Sequence, residues 1–432
     1  MTSNTSADAA LLERRQRLLG PAYRLFYDEP LHIVRGAGVW LTAADGQRYL
    51  DMYNNVPHVG HCRPEVVEAI CKQAAALNTH TRYLHSKVLD YAERLLALLP
   101  NDLDTAMFSC TGTEANELAL RIAREVTGAR GIIVTEFAYH GNSQLIADIS
   151  TEDTPPERRP DYVVTVPFPD AYRGLYRDAD AAAKYAAHID EAVALLASRG
   201  IKPAAFVVDT ISSSAAVVAP PAGYLRHAAA RARAAGALFI ADEVQPGFGR
   251  TGRHFWGFEA DGVVPDIVTM GKPMGNGHPL AATVARRELL EEFAKRTGYF
   301  NTFGGNPVSA AAGLAVLDVL EKEGLQSNAL ETGQYLRTAL EALAGQYEAI
   351  GEIRGHGLFL AIDLVADGAT RAPDANLARK LVNGLKQRGV LTNTIGPHAN
   401  VLKLRPPMVF SRNNADTFLH AFAESLEEVA AP

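Results

Sequence analysis

The feature of the sequence that most constrains its fold is an alternation of short apolar runs with longer helical stretches between about residues 66 and 310. The helical stretches include EVVEAICKQAAAL, HIDEAVALLASRG and LRHAAARARAAG, and the apolar runs are GIIVT, YVVTV, AAFVVD, ALFIAD, DIVTM and AATVA. Parallel strands that are buried on both faces are short and continuously apolar, and helical crossovers connect them. The pattern therefore predicts an α/β domain with a mostly parallel, doubly wound sheet and helices on both faces.

The segments on either side of this region have other patterns. Before it, PLHIVRGAGVWLTAADGQRYLDM alternates apolar and polar residues around an Asp45-Gly46 turn signal, which predicts hairpin strands. After it, long helical stretches are mixed with GLFLAIDLV and VLKLRPPM, which is typical of an α+β domain. We therefore predict a large domain over residues 66–310, a smaller α+β domain over 311–432, and an N-terminal segment, 1–65, that packs with the small domain.

Composition and charge narrow the classes of partner. The 432-residue chain has a net charge of −7, so it has no global basic field that would attract nucleic acid or an anionic membrane. Its three cysteines are an odd number without metal-ligand spacing, which predicts a reducing, cytoplasmic location and no metal site. The first residues contain no apolar run long enough for a signal peptide or a membrane anchor.

Three segments carry residues suited to chemistry. In FSCTGTEANELALRIARE, Thr111 and Glu114 fit a capping box at the start of an amphipathic helix. The segment is either only a well-capped helix or, because free amides and the positive helix end favour an anion, a phosphate site that includes Gly112 and Thr113.

The second segment, FIADEVQPGFGRTG, places Asp242 and Glu243 at the end of an apolar strand. A salt-bridged strand end is one interpretation of these carboxylates. The segment also contains a G-x-G-x-x-G pattern, but a dinucleotide fingerprint must connect a strand directly to a helix. Pro246 interrupts that connection and the residues after it lack a helical period, which argues against a nicotinamide-dependent dehydrogenase.

The third segment, DIVTMGKPMGNGHPLAA, places Lys272 directly after an apolar strand, before Pro273 and two glycines. A lysine in a solvated loop is the ordinary interpretation. A lysine that is desolvated at a strand end instead has a depressed pKa and can act as a nucleophilic amine. Such a lysine, an upstream carboxylate and a phosphate site together meet the binding requirements of pyridoxal 5′-phosphate.

Both DEVQPGFGRTG and PDIVTMGKPMGNGHPLAA closely resemble the class III aminotransferases, which are fold type I pyridoxal-phosphate enzymes. The resemblance extends from GAGVWLTAADGQRYLD to RPPM near the C-terminus. It implies that Lys272 forms the Schiff base and shuttles a proton, and that Asp242 keeps the pyridine nitrogen protonated. It also implies cofactor contacts from Gly112, Thr113, Tyr139, His140, Val244 and Gln245, and a homodimer with shared active sites in which Thr302 reaches the neighbouring subunit's cofactor phosphate.

Within this family, YNNVPHVGHC and LNTHTRYLH are most similar to the ethanolamine-phosphate phospho-lyases, which are carbon–oxygen lyases acting on phosphates. Asp209-Thr210 also departs from the Glu-Pro of many class III transaminases. This resemblance implies elimination of phosphate from a small phosphorylated amine, O-phosphoethanolamine, to give acetaldehyde, ammonia and phosphate. Because planar arginine donors suit a phosphate dianion, we expect Arg82 and Arg405 to bind the leaving group, with Asn55 as a neutral donor.

Other functions stay open at this point. An ω-amino acid or amine transaminase with a keto-acid acceptor is the main alternative, and Arg405 could then bind a substrate carboxylate. A catalytically silent binding protein on the same scaffold is a second alternative, against which the intact Lys272 and Asp242 argue. The sequence also leaves open whether dimers pair into tetramers.

Overall fold

The computed structural model describes the backbone of residues 4–430 and the side chains of residues 8–429, so residues 1–3 and 431–432 of the predicted domain ranges lie outside the described part. It contains sixteen strands among these residues. In chain order they are β1 (Ile33–Ala37), β2 (Trp40–Ala43), β3 (Arg48–Asp51), β4 (Thr105–Ser109), β5 (Gly131–Thr135), β6 (Val163–Val166), β7 (Pro203–Asp209), β8 (Leu238–Asp242), β9 (Ile267–Met270), β10 (Ala281–Ala285), β11 (Ile350–His356), β12 (Phe359–Asp367), β13 (Ala372–Pro373), β14 (Val390–Leu391), β15 (Asn393–Ile395) and β16 (Val401–Leu404).

Twelve α-helices connect and cover these strands in the part of the chain that the structure describes. None of them is long and apolar enough to cross a membrane. They are α1 (Asn4–Leu18), α2 (Pro64–Ala76), α3 (Ser86–Leu96), α4 (Gly112–Thr127), α5 (Gln144–Ile149), α6 (Ala181–Ser198), α7 (Tyr224–Ala234), α8 (Arg287–Arg296), α9 (Pro307–Lys322), α10 (Leu325–Ala344), α11 (Ala375–Gln387) and α12 (Arg412–Ala430).

The central sheet has seven strands in the order β4-β10-β9-β8-β7-β5-β6. The strands from β9 to β6 are parallel, which confirms the predicted mostly parallel sheet. Strand β10 is the exception, because it pairs antiparallel with both β9 and β4. The connection between β9 and β10 is the short segment after Lys272, which is too short for the helical crossover that a parallel pair needs. Strand β4 had no prediction, because TAMFS mixes polar and apolar residues.

The carboxyl ends of β7, β8 and β9 lie side by side at one edge of the sheet. Asp209 and Asp242 are paired in register across β7 and β8, and Asp242 is paired with Thr269 of β9. Lys272 comes after β9 with one intervening glycine and begins a single turn of 3₁₀-helix over Lys272–Gly275. The topology therefore brings two carboxylates and one amine to the edge at which ligands bind in open α/β sheets.

Two further sheets are formed outside this core. The predicted N-terminal hairpin forms β1, β2 and β3, and β3 pairs in parallel with β14 from the C-terminal part. The other sheet, in the order β11-β12-β16-β15, is C-terminal, and α10, α11 and α12 pack with it or with one another. This pairing supports the proposed division of the chain, in which the N-terminal segment packs with the small domain.

A buried ion-pair network joins segments on the two sides of the proposed domain boundary. Asp363 of β12 is fully buried and accepts hydrogen bonds from both terminal nitrogens of Arg173, at 2.8 and 2.7 Å. Arg354 and Asn400 also donate to this carboxylate. Because a buried charge is tolerated only when it is paired and hydrogen-bonded, Asp363 is the common partner on which this network depends.

We predict that Asp363→Ala strongly destabilises the protein, because it removes the buried carboxylate that the buried Arg354 and the half-buried Arg173 share. Removing one partner of a buried ion pair costs about 3–5 kcal/mol. Thermal unfolding should show a large decrease in Tm. The matched control is Asp161→Ala, which removes an equally well-formed pair with Arg130 on the surface and should leave Tm almost unchanged. Equal Tm values for the two variants would contradict the importance of burial.

Candidate active site

Lys272 lies in a cavity at the carboxyl edge of the central sheet. Burial lowers the pKa of its amine, the positive charge of Arg405 lowers it further, and Asp242 and Asp209 act in the opposite direction. An amine with a lowered pKa has a larger neutral fraction near neutral pH, and only the neutral amine can attack a carbonyl or accept a proton. The environment of Lys272 is therefore that of a reactive amine, as the sequence predicted.

Asp242 is held by three hydrogen bonds at the end of β8. Its Oδ2 contacts Nδ1 of His140 at 2.7 Å and accepts a hydrogen bond from the side-chain amide of Asn116 at 2.9 Å, and its Oδ1 accepts one from the backbone N–H of Val244 at 3.0 Å. Burial alone would raise the pKa of Asp242, but these partners outweigh burial and lower it. The carboxylate therefore stays ionised and can accept a hydrogen bond from a protonated ring nitrogen.

The predicted phosphate site lies at the N-terminus of α4. The capping box is formed, because Thr111 Oγ1 accepts a hydrogen bond from the N–H of Glu114 at 3.1 Å and the Glu114 carboxylate accepts one from the N–H of Thr111 at 2.9 Å. Gly112 and Thr113 are the first helical residues, whose amides have no acceptor within the helix. Gly141 approaches this turn so closely, with a φ of +137°, that a Cβ there would lie 2.4 Å from Thr113 Oγ1.

The residues that line the Lys272 cavity come from five separate segments. Tyr139 stands at the rim with 36% of its surface exposed, whereas His140, Asp242 and Val244 are buried. The complete lining consists of Gly112, Thr113, Tyr139, His140, Gly141, Asp209, Asp242, Val244, Gln245 and Lys272. Of the predicted cofactor and catalytic contacts, Thr302 alone is not in this lining.

Two cations from β16 and the residue after it extend the site. Lys403 donates to the backbone carbonyl of Ser213 at 2.9 Å and to Oε1 of Gln245 at 3.2 Å. Arg405 donates to the same Gln245 oxygen and lies over the ring of Tyr53, 4.6 Å from its centroid. Lys403 and Arg405 are 3% and 8% exposed, and burial lowers the pKa of both groups.

The acceptors of these two cations are all neutral. Neither Lys403 nor Arg405 forms an ion pair with a carboxylate of the described residues. The Nε of Arg405 is buried and has no hydrogen-bond partner within the described part of the chain. The predicted neutral donor, Asn55, is likewise 2% exposed, and its Oδ1 is buried without a partner there.

Some residues of this site had no role assigned by the sequence. Asn116 lies on the buried side of α4. Its side-chain oxygen, Oδ1, accepts a hydrogen bond from the hydroxyl of Thr269 at 2.6 Å. The sequence signal that could have identified Asn116 is its position as a polar residue on the apolar face of an amphipathic helix. Asp209 was noted only as a departure from the family pattern, yet it lines the cavity, and burial together with Asp242 raises its pKa. Lys403 is buried two residues before Arg405, and the sequence assigned it no role.

Arg82 and Thr302 lie together on an exposed surface and not in the Lys272 cavity of the same chain. The Arg82 guanidinium lies 3.9 Å from the ring centroid of Phe300, two residues before Thr302. Large apolar side chains surround them: Tyr83, Leu84, Phe300 and Phe303 are 66%, 98%, 43% and 68% exposed. We name this surface, residues 81–84 with 300–303, the exposed apolar surface. Within one chain, the predicted contacts of Arg82 and Thr302 stay predictions.

The second strand-end carboxylate, Glu243, points away from the cavity and has a structural role. It accepts hydrogen bonds from Thr210 Oγ1 at 2.9 Å and from the N–H groups of Gly257 and Phe258 at 2.7 and 3.0 Å. Burial raises its pKa to about 8. Trp256 lies beside this anchor, fully buried, and donates to the carbonyl of Leu98 at 2.6 Å. The glycine-rich segment after β8 forms turns and a short 3₁₀-helix. It does not connect β8 directly to an α-helix, as a dinucleotide-binding segment would.

Comparisons with known proteins agree with this arrangement. A Drosophila melanogaster protein named alanine–glyoxylate aminotransferase 2-like is 45% identical over 429 residues, which cover 97% of this chain and 87% of the relative. A Caenorhabditis elegans protein named ethanolamine-phosphate phospho-lyase homolog 1 is 40% identical over 440 residues, which cover 96% of this chain and 94% of that protein. The solved structure of an Arthrobacter phospholyase in complex with phosphoethanolamine matches with a TM-score of 0.94 and 46% identity, over 98% of this chain and 100% of the other.

The family model described as Aminotransferase class-III matches residues 26–426, which is nearly the whole chain. Members of this family depend on pyridoxal 5′-phosphate and share the fold type I architecture, so the predicted fold class and cofactor are both confirmed. By sequence, fold and site, the chain belongs to the class III aminotransferase family of pyridoxal-phosphate enzymes.

Proposed function

We propose that this enzyme eliminates phosphate from O-phosphoethanolamine and releases acetaldehyde and ammonia. The observation that carries the proposal is the pair of buried cations, Lys403 and Arg405, which have only neutral partners among the described residues and extend the Lys272 site. Two relatives, one named a phospho-lyase homolog and one solved with phosphoethanolamine, support the same reaction.

The residues of the cavity fit pyridoxal 5′-phosphate. Lys272 would hold its aldehyde, Asp242 would face the ring nitrogen, and the amides of Gly112 and Thr113 would receive the phosphate. Val244 and Tyr139 would lie on opposite faces of the ring. Gln245 would contact the ring hydroxyl through its amide nitrogen, because its Oε1 already accepts from Lys403 and Arg405. His140 would act through Asp242, to which it is hydrogen-bonded.

The proposed elimination follows from the positions of the cofactor and of Lys272 relative to the substrate. When bound, pyridoxal phosphate supplies an electron sink for the carbon that bears the amine. Lys272 would become free when the substrate's amine replaces it on the aldehyde, and its lowered pKa would then permit it to take the proton from that carbon near neutral pH. The electron pair forms a carbon–carbon double bond as the adjacent carbon–oxygen bond breaks, and the bridging oxygen leaves with the phosphate. Water then replaces the nitrogen, which gives acetaldehyde and ammonia.

The charge of the departing phosphate explains why the proposed reaction uses two cations, Lys403 and Arg405. A phosphate monoester carries a charge of about −1.5 to −2 at pH 7, whereas a carboxylate carries −1. Lys403 and Arg405 together supply a matching charge, and the Nε–H of Arg405, which has no partner among the residues that the structure describes, offers a further donor. Asn55 would provide a neutral contact through its side-chain amide. Desolvated donors that are already in place stabilise charge that develops during the reaction, and here that charge is on the departing phosphate.

An aminotransferase that uses an amine and a keto acid remains the second candidate, because one relative bears that name and Arg405 is also suited to a carboxylate. A cytoplasmic location is a further part of the proposal, and it rests on the three cysteines, all of which are free in the structure.

We predict that the purified holoenzyme releases equimolar phosphate and acetaldehyde from O-phosphoethanolamine without any keto acid. A coupled phosphate assay and an alcohol dehydrogenase assay would measure the two products. The control is ethanolamine, which has the same amine but no leaving group and should give neither product. Turnover that requires pyruvate or another acceptor would instead establish the aminotransferase.

We predict that Lys272→Ala abolishes the absorbance band of a protonated Schiff base in protein loaded with pyridoxal phosphate, because the variant lacks the amine that binds the aldehyde. Lys403→Ala, which removes another buried amine of the same site, is the matched control and should keep the band. Retention of the band in Lys272→Ala would show that a different amine binds the cofactor, and would contradict the assignment of Lys272.

We also propose that two chains form a homodimer with shared active sites, in which Arg82 and Thr302 serve the partner's cavity. The support is the exposed apolar surface, because adjacent large apolar side chains with exposed fractions of 43–98% are typical of a protein–protein interface. Arg82 lies within this surface and would bring a planar donor to the leaving phosphate of the other chain.

Subunit mixing tests this arrangement. We predict that Arg82→Ala keeps the cofactor but loses most phosphate release, and that mixing it with Lys272→Ala restores activity. If Arg82 serves the partner, each mixed dimer has one intact site, so random exchange should restore about a quarter of the wild-type activity. The control mixture of Arg405→Ala with Lys272→Ala, whose changes lie in the same site, should restore none. Failure of the first mixture to recover, with subunit exchange verified, would place Arg82 in its own chain's site.

A further inference from the structure

Asp209 is the carboxylate of the Lys272 cavity for which the proposed reaction has no use. It is 7% exposed, lies at the end of β7 beside Asp242, and lines the cavity. Its negative charge acts on Lys272, Lys403 and Arg405, since it raises the pKa of each. A buried carboxylate among three cations would ordinarily pair with one of them, yet Asp209 forms no such pair among the described residues.

The reason for this separation is that Asp209 is held by its own loop. Its Oδ1 accepts the N–H of Ile211 at 3.1 Å, and its Oδ2 accepts the N–H of Ser213 at 2.9 Å and the hydroxyl of the same serine. Ser213 is fully buried, and its carbonyl oxygen accepts the hydrogen bond from Lys403. One short turn therefore both satisfies the carboxylate and offers the lysine a neutral acceptor.

The backbone of this turn is held in an unusual conformation. Ser212, Ala216 and Val217 have φ values of 47°, 120° and 55°. Residues with a Cβ seldom adopt positive φ, and they do so only where the surroundings hold them. The next side chain, Thr210, is fixed by its hydrogen bond to Glu243. The turn is therefore anchored directly after Asp209.

We propose that Asp209 is a specificity-determining residue, because its short carboxylate is held by its own turn and pairs with neither Lys403 nor Arg405 among the described residues, so that both cations are reserved for a doubly charged phosphate. This inference rests on the proposed phosphate elimination and refines it. A longer carboxylate at this position would reach past the turn and occupy the cations itself. The site would then carry about one positive charge less, and would suit a carboxylate or a neutral amine better than a phosphate.

The test compares Asp209→Glu with Asp209→Asn in the holoenzyme. Asp209→Glu adds one methylene and keeps the charge, so we expect KM for O-phosphoethanolamine and the inhibition constant of inorganic phosphate to rise about tenfold or more together. Asp209→Asn keeps the length and removes the charge, so we expect both constants to rise by only about threefold at neutral pH, clearly less than in Asp209→Glu.

The pH dependence gives a readout that a purely structural role would not produce. Arg405, Asp209, Lys272 and Glu152 are the charged groups that act on Lys403. Loss of the Asp209 charge lowers the pKa of Lys403 further, so the rise of KM at alkaline pH should begin at a lower pH in Asp209→Asn than in wild type. The Schiff-base absorbance and Tm of each variant report cofactor loading and folding.

The outcomes separate the two proposals. If the wild-type holoenzyme neither releases phosphate from O-phosphoethanolamine nor is inhibited by phosphate, the proposed function fails, and the role of Asp209 fails with it. If wild type does both but Asp209→Glu has unchanged constants, only the inference about Asp209 is overturned. Equal losses in both variants would also overturn it, because they would indicate that the turn merely needs an intact aspartate to fold.

Discussion

Burial of opposite charges at the carboxyl edge of one sheet is the constraint on which the rest of this molecule depends. Two carboxylates and three cations are desolvated in the same region, and each loses favourable hydration. The surrounding loops compensate for that loss one group at a time. His140, Asn116 and Val244 satisfy Asp242, the Ser213 turn satisfies Asp209, and Gln245 serves both Lys403 and Arg405.

This arrangement also explains how a family named for amino-group transfer can accommodate a different reaction. In either reaction the proposed cofactor contacts around Asp242 and Lys272 would prepare a carbon to lose its proton. The fate of the substrate then depends on whether a leaving group is present on the next carbon and whether its charge is stabilised. In the proposed mechanism that choice depends on strand β16, which with the next residue supplies Lys403 and Arg405, and on the turn after β7, which holds Asp209 at the edge of the same cavity.

Much of the fold could be predicted because its signals are local. Apolar runs predicted six of the seven central strands, and the Asp45-Gly46 turn and the Thr111–Glu114 capping box formed as expected. Strand β4 was missed because its sequence alternates weakly. The antiparallel direction of β10 was not specified, although the short connection after β9 leaves no room for a helical crossover. The candidate residues Lys272 and Asp242 could be singled out because each lies at or just after the end of an apolar strand.

The partners of these residues could not be predicted in the same way, because their contacts join distant parts of the chain. Gln245 meets Lys403 across 158 positions, and Asn116 meets Asp242 across 126. No local pattern reports such pairs. Arg82 could not be assigned from one chain for a different reason. Its sequence context suggests that it binds phosphate, but within one chain it lies on the exposed apolar surface.

The hydrogen bonds of Glu243 hold the backbone next to Trp256, so that tryptophan fluorescence can report on this part of the molecule. The chain has two tryptophans, and they differ sharply in surroundings. Trp256 is enclosed by Phe248, Phe255 and Phe258, next to the backbone that Glu243 holds, whereas Trp40 lies on a partly exposed strand beneath the guanidinium of Arg48. Emission from the enclosed indole will therefore track loosening of the strand end that carries Asp242, while the other indole reports on the N-terminal sheet.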